Sequence, residues 1–465
     1  MSRKEDFLRY ISEVADKLRE SKGPALIVSH YDADGISAAS IICKLLSELG
    51  IFYQLKIVEQ LTPKMFSSIT SSSYNPVFIL DMGSGLKRPQ IKDKEMFILD
   101  HHLPSREDRT DDDVYELNPN LYGIDGSTDI SSSGIAYLLA RELMDEYVTL
   151  SPMALIGALG DRQDVGEKFS FKNINLFILN EAKKYNMVQV RIGLRLFGSL
   201  SRSLVKALAY TVDPYIPGIS GNEAASLNFL TKIGIKVVKE GKPRTLKDLS
   251  EDEVRALATE LIKYMINTGL PVSEAERIFG YNYYIRREQS PLADLREFSY
   301  VLNACGRMER HDLGIALCLH RSGEHVREAL SLLKDYRRVI SETLSFIRGN
   351  KDAIVRTYER VLHISLGDVI NDKTAGAIAS LITSSEANTS HKVICVSVNS
   401  KDNLVKLSLR KGKKVQKDIH IGEILSKLSE KYGIVGGGHE NAGGALIRRD
   451  KLNEFLNDLD KMLKI

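Results

Sequence analysis

Three short apolar runs, at residues 25–28, 77–80 and 96–99, are each followed closely by acidic or imidazole side chains. The first leads into His30-Tyr31-Asp32-Ala33-Asp34-Gly35, the second into Asp81, and the third into Asp100-His101-His102. Continuous apolar runs of this length, alternating with segments of helical periodicity, are the pattern of strands covered on both faces in a parallel α/β sheet. Parallel strands place all their C-terminal ends along one edge, where ligands bind in open α/β sheets. The fold class is therefore α/β, and these carboxylates and imidazoles are expected to share an edge.

At 465 residues the chain exceeds what one core ordinarily fills, so several domains are expected. Residues 1–190 read as the parallel-sheet domain, opening with an amphipathic helix over 4–20 that carries Phe7, Ile11, Val14 and Leu18 on one face. The texture changes over 191–295, read as a mostly helical insertion or middle region in which Ser250-Glu251-Asp252-Glu253 forms a capping box. Residues 296–350 read as a return segment of the first domain plus a connecting helix. Residues 351–465 read as a smaller α/β domain, with strands near 393–398 and 404–409 and a glycine-dense segment at 436–444.

Charge narrows the function little. The 64 basic and 61 acidic residues leave a net charge of +3, so any nucleic-acid footprint must be local. Cys43, Cys305, Cys318 and Cys395 form no CxxC pair and lie among apolar neighbours, as expected of reduced thiols. No run approaches a membrane span and the first residues hold no apolar signal core, so a cytoplasmic protein without membrane association is expected.

The chemistry lies in four clusters: His30 with Asp32 and Asp34; Asp81; Asp100-His101-His102; and Asp161, followed by Arg162-Gln163-Asp164. Each alone has an ordinary structural reading, as a turn, a cap or a surface histidine. Together, after buried strands, they suit hydrolysis of a phosphodiester. That reaction needs a water made nucleophilic at neutral pH and compensation of charge at phosphorus, which two divalent ions about 3.5–4 Å apart can supply when a carboxylate bridges them. Hard oxygen donors with a few imidazoles and no thiolates suit manganese or magnesium better than structural zinc.

These motifs resemble the DHH phosphoesterase superfamily: Asp-Ala-Asp-Gly at 32–35, the lone Asp81, the Asp-His-His triplet, and Gly160-Asp161-Arg162-Gln163-Asp164. Gly436-Gly437-Gly438-His439 with Ala442-Gly443-Gly444 is similar to that superfamily's DHHA1 domain. Asn303-Ala304-Cys305-Gly306-Arg307-Met308 looks like a motif of RecJ-type nucleases, and the segment Asp213–Gly218 resembles the archaeal RecJ-like branch. That branch is related to the eukaryotic replicative-helicase subunit of the same superfamily. The resemblance spans nearly the whole chain and is weakest between about 220 and 295.

The resemblance implies a catalytic set of Asp32, Asp34, Asp81, Asp100, His101, His102 and Asp161. Asp81 would bridge two divalent cations, Mn2+ in the first place and Mg2+ as the alternative. Asp34, His101 and Asp161 would complete one ion's shell, and Asp32 with His30 the other's. Here the chain departs from other branches, which place a histidine four residues before Asp32, where Val28 stands. His102 would face the scissile phosphate, and Asp100 would orient a histidine. Arg307, Arg410, Gly437, Gly438 and His439 are the further substrate contacts implied. The activity implied is 5′→3′ exonuclease cleavage of single-stranded DNA in replication or repair. The alternatives are single-stranded RNA, 3′ ends or short oligonucleotides as substrate, and a replisome scaffold that binds the GINS complex with secondary nuclease activity.

Overall fold

The structure, a computed structural model, describes residues 3–86, 91, 94–104, 113–199, 201–385, 391–412, 414–416, 418–438 and 440–463. The chain divides into two compact units. One comprises residues 1–203, 245–249 and 277–333; the other comprises 204–244, 250–276 and 334–465.

The first unit begins with helix α1 (Arg3–Glu20), which buries Phe7, Ile11, Val14 and Leu18. Strand β1 (Ala25–His30) leads into α2 (Ala33–Glu48), followed by β2 (Tyr53–Val58), α3 (Pro63–Thr70), β3 (Val77–Leu80), β4 (Met96–Leu99) and β5 (Val114–Leu117). These strands form one sheet in the order β2-β1-β3-β4-β5, and every pairing in it is parallel. Alternation within the strands divides the core between two faces. Val77, Ile79, Met96, Ile98 and Val114 pack with Phe66 and Ile69 of α3. Phe78, Phe97 and Tyr115, on neighbouring strands, stack with centroids 4.9 and 5.1 Å apart. Beyond the sheet come α4 (Ser132–Leu143), α5 (Ser151–Gly160), α6 (Asn173–Lys184) and β6 (Val188–Leu194). β6 pairs antiparallel with the strand Phe279–Ile285, and the helix Leu295–Arg307 follows. The region expected to be mostly helical thus begins within one strand of this pair and includes the other, Phe279–Ile285.

In the second unit, the helices Leu204–Tyr210, Glu223–Lys232 and Glu251–Asn267 come from that region, and Ser250 and Glu253 form the reciprocal capping box. The helix Gly323–Gly349 runs for 27 residues and carries the chain from the first unit into the second. A six-stranded mixed sheet then follows, in spatial order 355–357, 361–367, 393–399, 404–411, 442–448 and 435–438. One face carries Val361, Cys395, Leu407, Leu425, Phe455 and Leu459; the other carries Ile364, Val396, Ile378 and Ile382. The molecule is thus α/β, with a parallel sheet, a helical insertion and a separate smaller domain on a mixed sheet. No helix among the described residues is long and apolar enough to cross a membrane.

One buried polar pair in this mixed sheet has a thermodynamic consequence. His363 is buried, and its Nε2 lies 2.8 Å from Ser397 Oγ. Burial, helped by the Arg356 charge, lowers its pKa from 6.5 to about 4. The unfolded chain therefore binds a proton that the folded chain refuses. Stability rises with pH across this window, and the contribution is lost as pH falls from about 6.5 to about 4. Replacing His363 by Gln is expected to remove up to about 3 kcal/mol of that acid-induced loss. Urea melts of both proteins between pH 7 and 4 measure the difference, and parallel pH profiles would contradict it.

Candidate active site

The parallel sheet brings the C-terminal ends of β1, β3 and β4 side by side, because Ser29 is in register with Leu80 and Leu80 with Leu99. The groups just past these residues therefore meet. Asp32 caps α2, accepting the Gly35 N–H at 3.0 Å, and so turns the chain from β1 into the helix that carries Asp34. Asp81 has a φ of 60°, left-handed backbone that a non-glycine residue seldom adopts, and its N–H donates to the Leu99 carbonyl at 2.9 Å. Asp161 follows directly on α5.

Among the described residues, three groups of side chains could each hold a metal ion. Asp34, Asp81, His101 and Asp161 form one; His30, Asp32 and Asp81 form another; and Asp81, His101 and His102 form the third. Within each group the donor atoms lie within 4.8 Å of one another, and Asp81 belongs to all three. His101 Nε2 lies 3.1 Å from Asp161, 3.4 Å from Asp81 and 3.9 Å from Asp34. His30 Nδ1 lies 3.0 Å from Asp32 and 3.2 Å from Asp81.

The two adjacent histidines are held differently. His101 Nδ1 lies 2.6 Å from the Gly126 carbonyl, which can only accept, so Nδ1 carries a proton and Nε2 faces the carboxylates. Gln163 donates to the same carbonyl at 2.9 Å and accepts from Asn175 Nδ2 at 2.6 Å. His102 instead lies with Nδ1 2.7 Å from Asp100 Oδ1, and Asp100 also accepts the His102 and Ser84 N–H groups at 3.1 and 2.9 Å. The His101 side chain is 5% exposed and that of His102 is 37% exposed, so only the second reaches solvent. Asn118 and Asn120 fasten the loop from behind, donating to the His102 and His101 carbonyls at 2.8 and 2.9 Å.

The electrostatics express crowding of like charge. Burial raises the Asp34 pKa well above the carboxylate range, and the Asp81 and Asp161 charges raise it further. Burial likewise raises Asp161, against the pull of His101. Burial opposes ionisation of Asp81 as well, but His101 and His30 outweigh it and hold Asp81 well below the usual range. The counterpart is that both imidazoles are raised well above theirs, the carboxylates overcoming the burial that disfavours their charge. Asp100, whose burial is overcome by His102, is held at about 2, and Asp100 raises His102 in turn despite burial. Buried carboxylates crowded around hard donor atoms call for a cation, so the donor set fits a divalent ion.

Some residues outside the sequence-derived set complete the site. Ser132 and Ser133 donate to Asp34 and Asp81 from the start of α4. The serine run at 131–133 is the visible signal, although helical periodicity starts the helix only at Ile135. Asn303 Oδ1 accepts the Ala33 N–H at 3.2 Å, so the Asn-Ala-Cys-Gly-Arg-Met motif buttresses the turn that carries Asp32 and Asp34. Gly306 permits that approach, since a Cβ there would lie 1.9 Å from the Tyr31 carbonyl oxygen. Arg307 ends this helix and is half-buried.

The remaining substrate candidates belong to the second unit. Arg410 pairs in register with Ala442, beside the pairs Gly438–Gly443 and Gly437–Gly444. Its Nε donates to Ser380 Oγ at 2.8 Å. His439 lies outside the described residues.

Comparison with known proteins places these sites in a family. The DHH family N-terminal domain matches residues 24–160, the DHH-CID domain 196–279 and the DHHA1 domain 358–465. An uncharacterized protein of Methanocaldococcus jannaschii is 27% identical over 469 residues, covering 100% of this chain and 98% of its own. CDC45 from Entamoeba histolytica superposes with a TM-score of 0.66 at 12% identity, covering 98% of this chain and 99% of that one. RecJ from Thermus thermophilus, in complex with Mn2+, superposes with a TM-score of 0.57 at 14% identity, covering 98% of this chain and 55% of that one. With its DHH, DHH-CID and DHHA1 domains in that order, and with the fold of RecJ and CDC45, the chain belongs to the DHH/DHHA1 phosphoesterase superfamily.

Proposed function

We propose that this protein is a metal-dependent exonuclease that hydrolyses single-stranded DNA in the 5′→3′ direction during replication or repair. The observation that carries the reading is the position of Asp81 in both the Asp34/His101/Asp161 group and the His30/Asp32 group. One shared carboxylate between two ligand groups is the arrangement that a two-ion phosphodiesterase requires. In this reading Asp81 would be shared by two divalent cations, Mn2+ in the first place and Mg2+ as the alternative, held with Asp34, His101 and Asp161 on one side and His30 and Asp32 on the other. When bound, the ions supply a nucleophilic water at neutral pH and offset charge at phosphorus.

The chain's own groups do the rest. The Gly126 carbonyl holds His101 with Nε2 toward the carboxylates, and Asp100 accepts from His102 Nδ1, so that His102 Nε2 would donate to a phosphate oxygen. Asp100 keeps His102 protonated to higher pH than a free imidazole, which suits contact with an anion. Arg307, Arg410, Gly437, Gly438 and His439 would contact the strand's phosphates. Residues 1–190 with 296–350 would then be the catalytic portion, 191–295 an insertion and 351–465 the substrate-binding portion.

Replacing Asp81 by Ala is expected to abolish Mn2+-dependent cleavage of end-labelled single-stranded DNA with the circular dichroism spectrum unchanged, and EDTA should abolish it in the parent protein. Oligonucleotides of DNA and RNA, each blocked at one end, report polarity and sugar preference. Cleavage retained by the Asp81→Ala protein would sink the assignment. A wild-type protein that cuts nothing with either metal yet binds GINS would replace it with the scaffold reading.

His102→Gln tests the division of labour between the two imidazoles. It is expected to lower kcat by about 10²–10³-fold, the scale for losing one donor to developing charge. Mn2+ affinity, measured by calorimetry, should stay at the wild-type value. A matching loss of Mn2+ affinity would make His102 a ligand instead.

A further inference from the structure

Ser132 joins two carboxylates that come from different elements. Its backbone N–H donates to Asp34 Oδ2 at 2.7 Å, and its hydroxyl donates to Asp81 Oδ1 at 3.1 Å. All three residues are buried. The neighbouring Ser133 N–H donates to Asp34 Oδ1 at 3.0 Å. Ser133 has only one hydroxyl proton, and that hydroxyl lies against both Asp34 Oδ1 and the Ala154 carbonyl. Ser131 bonds neither carboxylate directly: its side chain accepts the Gly134 N–H at 3.3 Å as the N-terminal cap, and its hydroxyl lies 2.9 Å from Ser133 Oγ.

Two further observations indicate that the spacing of this pair is built in. Asp81 sits at φ 60°, a conformation that a non-glycine residue keeps only where its surroundings over-determine it. The Ser132 hydroxyl is one of the contacts that do so. On the far side, Gly157 of α5 leaves room for the Asp34 carboxylate, since a Cβ there would lie 2.2 Å from Asp34 Oδ1 and 2.0 Å from Ser133 Oγ. Asp34 is thus fitted between the first turn of α4 and a bare stretch of α5.

We propose that Ser132 is a positioning residue for the metal centre, setting the separation of Asp34 and Asp81 that cation binding requires. The inference rests on the metal-binding reading of the site. Groups that orient metal ligands commonly contribute 10–100-fold to metal affinity.

Calorimetric titration of Mn2+ into the metal-free full-length protein and three variants tests it. Ser132→Ala is expected to weaken Mn2+ binding by about 10–100-fold. Gly157→Ala, which crowds Asp34 from the opposite side, should weaken it as well and serves if Ser132→Ala does not fold. Ser131→Ala, which removes the cap and reaches Asp34 only through the Ser133 hydroxyl, should lower the melting temperature and weaken Mn2+ binding less than Ser132→Ala does. Wild-type affinity in Ser132→Ala, or an equal loss in Ser131→Ala and Ser132→Ala, overturns the proposal. Wild-type protein that takes up neither Mn2+ nor Mg2+ overturns the metal reading itself, and the positioning role with it.

Discussion

Mutual repulsion among the crowded carboxylates Asp34, Asp81 and Asp161 is the constraint on which the first unit's architecture turns. Separate elements carry them; Asp34 and Asp81 are buried, and the Asp161 side chain keeps only 21% of its exposure. Left alone, such a cluster would protonate or force its elements apart. The fold answers with donors aimed at the carboxylates: His30 and His101 at Asp81, and the first turn of α4 at Asp34. Donors and carboxylates together hold a shape that suits concentrated positive charge.

That arrangement explains why the sheet is parallel and the strands so apolar. Only parallel neighbours bring the ends of β1, β3 and β4 to one edge, and strands covered on both faces need no polar residue until they end. Leu80 and Leu99 are both fully buried, and the next residue of each strand is a carboxylate. The boundary between core and chemistry is a single peptide wide, so small backbone displacements at the strand ends would be felt directly by the acidic groups.

The same sharp boundary makes much of the site legible in the amino-acid sequence. Apolar runs ending on Asp and His mark β1, β3 and β4, and an inserted helical region and a glycine-rich terminal domain are visible in composition. Other features lack a local signal. Edge strand β2 alternates half-buried with exposed residues and includes Gln54 and Lys56, so it resembles a polar linker. The pairing of Val188 with Ile285 joins segments separated by most of the insertion, and no turn between them announces it. Ser132 and Ser133 read locally as helix-start residues, which they are. Their bonds to Asp34 and Asp81 depend on the packing of α4 against α2 and the sheet, which no one-dimensional pattern encodes.

His101 and His102 show how far second contacts, rather than residue type, decide a role. The two imidazoles are adjacent in sequence, with ring centroids 4.5 Å apart. A neutral carbonyl accepts from His101, so that ring is oriented without any carboxylate being spent on it, and its other nitrogen is left to the acidic cluster. A carboxylate accepts from His102, which stabilises that ring's charge, and that side chain is the one of the two partly exposed to solvent. In the proposed reading, exchanging those two partners would exchange a metal ligand for a phosphate donor with no change in the Asp-His-His triplet. The chemistry of the pair is therefore carried as much by Gly126 and Asp100 as by the histidines themselves.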